Sequence, residues 1–208
     1  MPETIVVIFD NGMFSQNQDY LPSRFVAQQE VVESLISRKF EDNQENTIGI
    51  VPLVQVQAND IVTPTKQRSY IKTFLNKIML NSKTDIMNCL SQCIHIFNQR
   101  DAPGCTLVVL LGTKMKDVPT DELFARIYEI LTLGINIKMV FFGEALGMSE
   151  SFKKIGLTSF SCIDIEPNED LSTQALSFIC GGGISDEDDP ELAEAIRLSL
   201  EEHQRQKK

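Results

Sequence analysis

The chain holds two histidines, His95 and His203, and neither stands in a pattern that performs covalent chemistry. His95 lies among Ile94, Ile96 and Phe97 in a helical apolar stretch, so it reads as a buried or boundary residue and not as a base. His203 falls in a polar tail. The nucleophile elbow G-x-S-x-G, the phosphate loop G-x-x-x-x-G-K-[ST] and the zinc helix H-E-x-x-H are all missing from the sequence. Asp10 and Asp19 are two carboxylates of the kind general acid–base work needs, yet nothing in the sequence fixes their spacing. Gly143 and Gly147 offer backbone N–H groups to an anion at a helix start, with a plain turn as the simpler reading. Of the five cysteines, Cys89 and Cys93 are four apart on a helical pattern, and Cys105 and Cys180 border apolar segments. Without a second C-x-x-C pair or nearby histidines they make a poor zinc site and read as small buried hydrophobes. What remains is binding: the expectation is no enzyme and no cofactor.

The sharpest binding pattern is near the C-terminus. Asp189-Pro190 starts a helix well, with Asp at the N-cap and Pro where its missing N–H costs nothing. Leu192, Ala195, Ile196 and Ser199 then fall at i, i+3, i+4 and i+7, one stripe about 100° wide. Ala195 and Ser199 leave a shallow notch beside Leu192 and Ile196 through which another backbone can approach. Asp188, Asp189 and Glu191 bracket the stripe at one end and Glu201 and Glu202 at the other. A helix of this kind suits a flat apolar patch rimmed by basic residues. The alternatives are a helix docked on the chain's own domain and one seam of a weak coiled coil.

The elements that must carry these residues form one α/β domain with an appendage. The chain has 208 residues, 42% apolar and 23% charged, with a formal net charge of −10. The acid run Asp186–Asp189 crowds much of that charge into the tail, so phosphate backbones are repelled and nucleic acid is excluded as a partner. The bland alternative is a solvated tail that aids solubility. No stretch reaches the roughly 20 apolar residues of a membrane span, and the start lacks a signal sequence. No membrane partner is therefore expected, and the odd cysteine count fits a cytoplasmic and nuclear location.

Apolar, β-branched runs at Ile5–Phe9, Thr47–Leu53, Leu107–Leu111, Ile135–Phe142 and Phe160–Ile165 alternate with helical periods. The helices are expected over Pro22–Phe40, Gln67–Met79, Thr84–Phe97, Thr120–Leu133, Ser149–Ile155 and Leu171–Ile179. This alternation predicts an α/β fold, a doubly wound and mainly parallel sheet with helices on both faces. Ligands of such folds gather beyond the carboxyl ends of the strands, which directs attention to the loop Asp10–Leu21. Gly181-Gly182-Gly183 then breaks the pattern. The resulting division is a domain over 1–180, a flexible acidic linker over 181–188 and a helix over 189–206.

D-D-P-E-L-A-E-A-I-R-L-S-L-E-E resembles a ubiquitin-interacting motif, matched by Asp188, Asp189, Glu191, Leu192, Ala195, Ile196, Ser199 and Glu202. The resemblance implies one helix whose alanine packs on ubiquitin's apolar patch while its serine makes polar contacts. Asp10-Asn11-Gly12-Met13-Phe14 stands where a von Willebrand factor A domain carries D-x-S-x-S, whose carboxylate and two hydroxyls hold a divalent cation. Gly12 and Phe14 remove both hydroxyls. Thr84 can supply the motif's later threonine, but Gly112-Thr113-Lys114 replaces the last aspartate. A bound metal is therefore not expected.

Together with the terminal motif, the stretch through Asp10, Asn11, Ser15, Asn17, Asp19, Arg24, Phe25, Ala27 and Gln28 is similar to the ubiquitin-receptor family of the proteasome regulatory particle, non-ATPase subunit ten. The resemblance implies a domain that docks between proteasome lid and base and bridges them, with Asp10, Asn11 and Arg24 near that contact. It also implies that ubiquitin and polyubiquitin chains are partners. Two departures stand out: the linker is shorter than the family's, spanning roughly 17 Å, and one motif is present. A single short helix predicts a weak affinity, about 10⁻⁴ to 10⁻⁵ M for one ubiquitin. Two other readings remain open at this point, a ubiquitin-binding adaptor outside the proteasome and a metal-dependent adhesion-type ligand binder.

Overall fold

The structure is a computed structural model that describes residues 1–55, 57, 60–100, 104–115 and 118–181. The expected linker beyond Gly181 and the expected helix over 189–206 lie outside the described residues.

Among the described residues the strands form one six-stranded sheet in the order β3-β2-β1-β4-β5-β6. They are β1 (Glu3–Phe9), β2 (Thr47–Pro52), β3 (Val62–Thr65), β4 (Gly104–Leu111), β5 (Asn136–Phe141) and β6 (Phe160–Asp164). β1 pairs in parallel with β2 and β4, β4 with β5, and β5 with β6. Every residue of β1 from Thr4 onward is buried, as a strand covered on both faces requires.

The side-chain period of two sorts the sheet onto two cores. Ile5, Val7, Phe9, Val108, Leu110 and Val140 face one; Val6, Ile8, Leu107, Val109, Leu111 and Met139 face the other. The first is closed by α1 (Arg24–Asp42), α2 (Arg68–Leu75) and α6 (Leu171–Cys180). The second is closed by α3 (Ile86–Asn98), α4 (Thr120–Thr132) and the single turn α5 (Ser149–Phe152). None of the described helices is long and apolar enough to cross a membrane.

Several boundaries differ from the sequence reading, each for a local reason. α1 begins at Arg24, because the Ser23 hydroxyl accepts the Val26 N–H and makes Ser23 the cap. α2 stops at Leu75 and does not run to Met79. The Met79 carbonyl and the Asn81 N–H are instead captured by Asn11, at 3.0 and 2.9 Å. His95 is exposed on α3 and not at a buried or boundary position. Cys89 and Cys93 are buried on the same helix. Burial pushes the Cys89 thiol up to about 12 and that of Cys93 well above its ordinary value, so both pack as hydrophobes.

β3 is a further strand that the sequence reading left as connection. It pairs antiparallel with β2, with a register shift between Ile48 and Ile50. Four residues with a proline in the middle carry no legible period, and an edge is where a sheet tolerates proline. Gly49 makes the pairing possible: a Cβ there would lie 2.6 Å from the Val62 carbonyl oxygen and 2.9 Å from the Pro64 nitrogen. Gly49→Ala is therefore expected to lower stability by about 2 kcal/mol through overpacking, read as a lower urea midpoint. The exposed Gly134→Ala, strained only at its φ of 77°, is expected to cost less.

Candidate functional site

The strand order reverses between β2 and β4 across β1, which places the fold's switch point at the carboxyl ends of β1 and β4. Asp10 follows β1 at that point and is fully buried. Its Oδ1 accepts the Gly12 N–H at 2.8 Å and the Thr113 hydroxyl at 3.1 Å. Its Oδ2 accepts the N–H groups of Gly112 and Thr113 at 2.8 and 2.7 Å. A carboxylate offers about four lone-pair positions, and these four donors occupy them. Burial, the largest influence, pushes the Asp10 carboxyl up from its ordinary value, while the bonds from Gly12, Gly112 and Thr113 pull it down.

A divalent cation does not fit this arrangement. The carboxylate is spent on the chain's own donors, and Gly12 and Phe14 supply no hydroxyl. A serine at position 12 would have no room, since a Cβ there would sit 2.7 Å from the Thr113 Oγ1 and 3.0 Å from the Asp10 Oδ1. Thr84 brings its methyl carbon, not its hydroxyl, to 3.2 Å from that same position. Among the described residues no cluster of three His, Cys, Asp or Glu side chains is placed to hold a metal.

The backbone of this turn is fastened as tightly as the carboxylate. The Gln28 amide, fully buried on α1, accepts the Asp10 N–H at 3.1 Å and donates to the Asp10 carbonyl at 3.0 Å. The Ser15 hydroxyl donates to the same carbonyl at 2.8 Å. Asn11 is buried too. Its amide donates to the Val54 and Met79 carbonyls, and its oxygen accepts the Val54 N–H at 2.7 Å. One side chain thereby ties the end of β1 to the segments after β2 and after α2.

Arg24 forms a second layer. Its guanidinium is 4% exposed and makes a fork with Asp19, at 2.7 and 2.6 Å, while a further N–H pairs with Glu144. Glu144 belongs to the turn after β5, so the ion triad clamps that turn to the β1–α1 loop. Tyr20 does the same, donating to the Ile165 carbonyl at 2.6 Å and accepting the Gly143 N–H at 3.1 Å. That bond uses the N–H which the sequence had offered to an anion, and the plain turn is what forms. Gly143 has φ +57°, and a Cβ on it would lie 2.3 Å from the Arg24 guanidinium carbon.

The structure thus brings Asp10, Asn11 and Arg24 to one edge but puts all three below the surface. Asp10 and Asp19 do not form a pair, because Asp19 turns to Arg24. Tyr20 and Glu144 were missed by the sequence reading. Both act across gaps of more than a hundred residues, and neither sits in a local pattern.

Part of what the edge exposes is apolar, beside Ser82, Thr84 and Thr113. Met13 and Phe14 are 44% and 50% exposed. With Met115, Val118 and the exposed Lys114 they line a groove of about 340 Å³ above the buried carboxylate. Methionine and phenylalanine on a concave face make an adaptable contact surface.

Asp10→Ala would orphan three backbone N–H groups and a hydroxyl. At about 1–3 kcal/mol for each unpaired donor, partly recovered by relaxation, a loss of about 4 kcal/mol is expected in urea unfolding. Millimolar Mg²⁺ or EDTA should leave the melting temperature of the unaltered chain unchanged. Arg24→Met would leave Asp19 and Glu144 facing each other, at a cost of about 3 kcal/mol. The hydrogen bond from Arg24 holds the Asp19 carboxyl below its ordinary value of 3.8. Its stabilising contribution is complete above that value and is lost as pH falls through the lower folded one. Acid titration of Arg24→Met should therefore show a shallower loss of stability below pH 4 than the unaltered chain.

The comparisons with known proteins bear on the family and the fold. The family described as von Willebrand factor type A domain matches residues 5–114. A protein of Dictyostelium discoideum named 26S proteasome non-ATPase regulatory subunit 4 is 24% identical over 153 residues, covering 73% of this chain and 44% of that protein. The Saccharomyces cerevisiae protein named 26S proteasome regulatory subunit RPN10 is 24% identical over 238 residues, covering 97% of this chain and 88% of that one. Among solved structures, the crystal structure of the SpRpn10 VWA domain superposes with a TM-score of 0.70 at 19% identity, over 83% of this chain and 93% of that one. It shares the fold. The chain belongs to the von Willebrand factor type A domain family, as a homologue of proteins named 26S proteasome regulatory subunit RPN10 or non-ATPase regulatory subunit 4.

Proposed function

We propose that this chain is a non-catalytic ubiquitin receptor of the proteasome regulatory particle. The observation that carries the docking half is the closed edge of the sheet. Where the family's motif would hold a cation, Asp10 is sealed by four internal donors and the surface above it is a groove that sets Met13, Phe14 and Met115 beside Thr84 and Lys114. Such a surface recognises a protein by packing, without an ion. Asp10, Asn11 and Arg24 contribute from below, by holding the groove's loop in one shape. The names of these homologues, regulatory subunits of the 26S proteasome, support association with the proteasome; that lid and base are the partners bridged is part of the proposal.

The ubiquitin half rests on the terminal pattern. Leu192, Ala195, Ile196 and Ser199 form the stripe, flanked by Asp188, Asp189, Glu191 and Glu202. Retention of a tagged substrate would come from several weak contacts on one particle, which multiply in avidity. The same proposal places the receptor in cytoplasm and nucleus.

The two halves separate experimentally. Phe14→Glu places a charge in the groove and is expected to lower co-purification of the full chain with proteasome subunits at least tenfold, leaving ubiquitin-chain binding unchanged. Ala195→Asp buries an unpaired charge in the other contact and should do the reverse. Recovery of an Ala195→Asp variant on ubiquitin chains at the level of the unaltered protein would refute the receptor reading. Unaltered co-purification of Phe14→Glu would refute the docking face.

A further inference from the structure

A second groove opens beside Asn11. About 330 Å³ in volume, it is walled by Val54, Phe74, Ile78 and Met79, with Asp60 and Lys77 as its charged lining. It shares no lining residue with the groove of Met13 and Phe14. Asn11 gives it its shape. The buried amide holds the Val54 backbone on one side and the Met79 carbonyl on the other, so both walls are set from below.

The walls are apolar and reach solvent. Phe74 and Ile78 are half-buried, and Met79 is 79% exposed although its carbonyl is bonded inside. Tyr70, 53% exposed, stands one helical turn before Phe74 on α2 and lengthens the same face. Aromatic residues and methionine are the side chains that protein contacts favour, because they offer large and adaptable apolar area.

The charge along this part of the chain is opposite to that of the whole. Residues 61–84 hold five Lys or Arg and no Asp or Glu, on a chain whose net charge is −10. Two of the five are used internally: Lys66 pairs with Glu45, and Arg68 donates to the Phe40 carbonyl at 3.0 Å. Among the described residues Lys72, Lys77 and Lys83 meet no carboxylate within ion-pair distance. The acid in the lining, Asp60, accepts the Gln57 N–H at 2.8 Å, and the undescribed residues between Gln55 and Asp60 are uncharged. A partner that covers Lys77 takes an ammonium out of water, which is costly unless a carboxylate answers it. A basic segment would be repelled. A nucleic acid would find a walled apolar cleft instead of a flat stacking surface, on a chain whose net charge opposes a polyanion.

We propose that this groove receives an acidic segment of a partner protein. An apolar side chain of that segment sits against Phe74, Ile78 and Met79, and a flanking carboxylate meets Lys77. The contact is separate from both the proteasome-docking groove and the ubiquitin-binding stripe, and it depends on neither.

The test uses the full chain and a fluorescein-labelled ten-residue peptide with Leu-Phe at its centre and Glu and Asp on both sides. Fluorescence anisotropy at about 50 mM salt should show binding with a Kd of about 10⁻⁴ M. Lys77→Glu should weaken it about fivefold or more, and Met79→Ser about threefold, with unchanged melting temperatures because both side chains are exposed. At about 500 mM salt the unaltered chain should lose most of its advantage over Lys77→Glu, as screening removes the ion pair. In NMR spectra the peptide should shift the amide signals of Phe74, Lys77, Ile78 and Met79. Phe14→Glu should bind the peptide like the unaltered chain, so the docking reading and this one fail separately. Absence of binding, or equal binding by both variants, overturns the proposal. So does equal binding of a peptide with Lys in place of every acid, or of an acidic peptide with Ser-Ser in place of Leu-Phe. Displacement of the peptide by a ten-nucleotide single-stranded RNA at the same amides overturns it in favour of a nucleic-acid surface. Shifts of those signals with protein concentration alone overturn it in favour of a second copy.

Discussion

A carboxylate with no access to water sits where the sheet's strand order reverses, and most of the upper edge is arranged around it. Ionised Asp10 is stable there only while three N–H groups and a hydroxyl stay aimed at it. Two of the N–H groups belong to the turn after β4 and one to its own turn. The bond set therefore fixes how those two loops meet. Gly112 follows from the same constraint, because a Cβ there would enter the Phe142 ring at 2.3 Å. Meeting the demand internally also removes the lone pairs that a cation would need.

The remaining loops are fastened to that core in layers. Gln28 and Ser15 hold the Asp10 backbone, Asn11 holds the segments after β2 and α2, and Arg24 with Tyr20 holds the turn after β5. These are polar bonds in a largely dry setting, where a complete network makes one conformation rigid and an incomplete one is costly. Met13 and Phe14 thus remain exposed on a short 3₁₀ turn (Met13–Gln16) instead of collapsing into the domain. A rigid loop presenting apolar side chains loses little conformational freedom when a partner covers it.

The two ends of the sheet consequently differ in kind. The carboxyl end presents Met13 and Phe14 above a carboxylate satisfied from within. The amino end is polar, with Lys39 paired to Glu3 and Lys138 capping the last carbonyls of α6.

Sequence pattern alone settled the alternation of strands and helices, the mainly parallel sheet and the central place of β1, and it directed attention to the loop that Asp10 opens. Those features rest on local periods of 2 and 3.6 residues and on the burial they dictate. The replacement of the family's hydroxyls by Gly12 and Phe14 could likewise be read directly. Tertiary structure decided the rest. β3 depends on the missing Cβ of Gly49, α2 ends early because Asn11 reaches across to Met79, and Tyr20 and Glu144 join the site from distant loops. The acceptors of Asp10 are filled by Gly112 and Thr113, a hundred residues away. Such pairings leave no periodic trace, because a hydrogen bond across the fold constrains where two side chains meet and not what stands beside either of them in the chain.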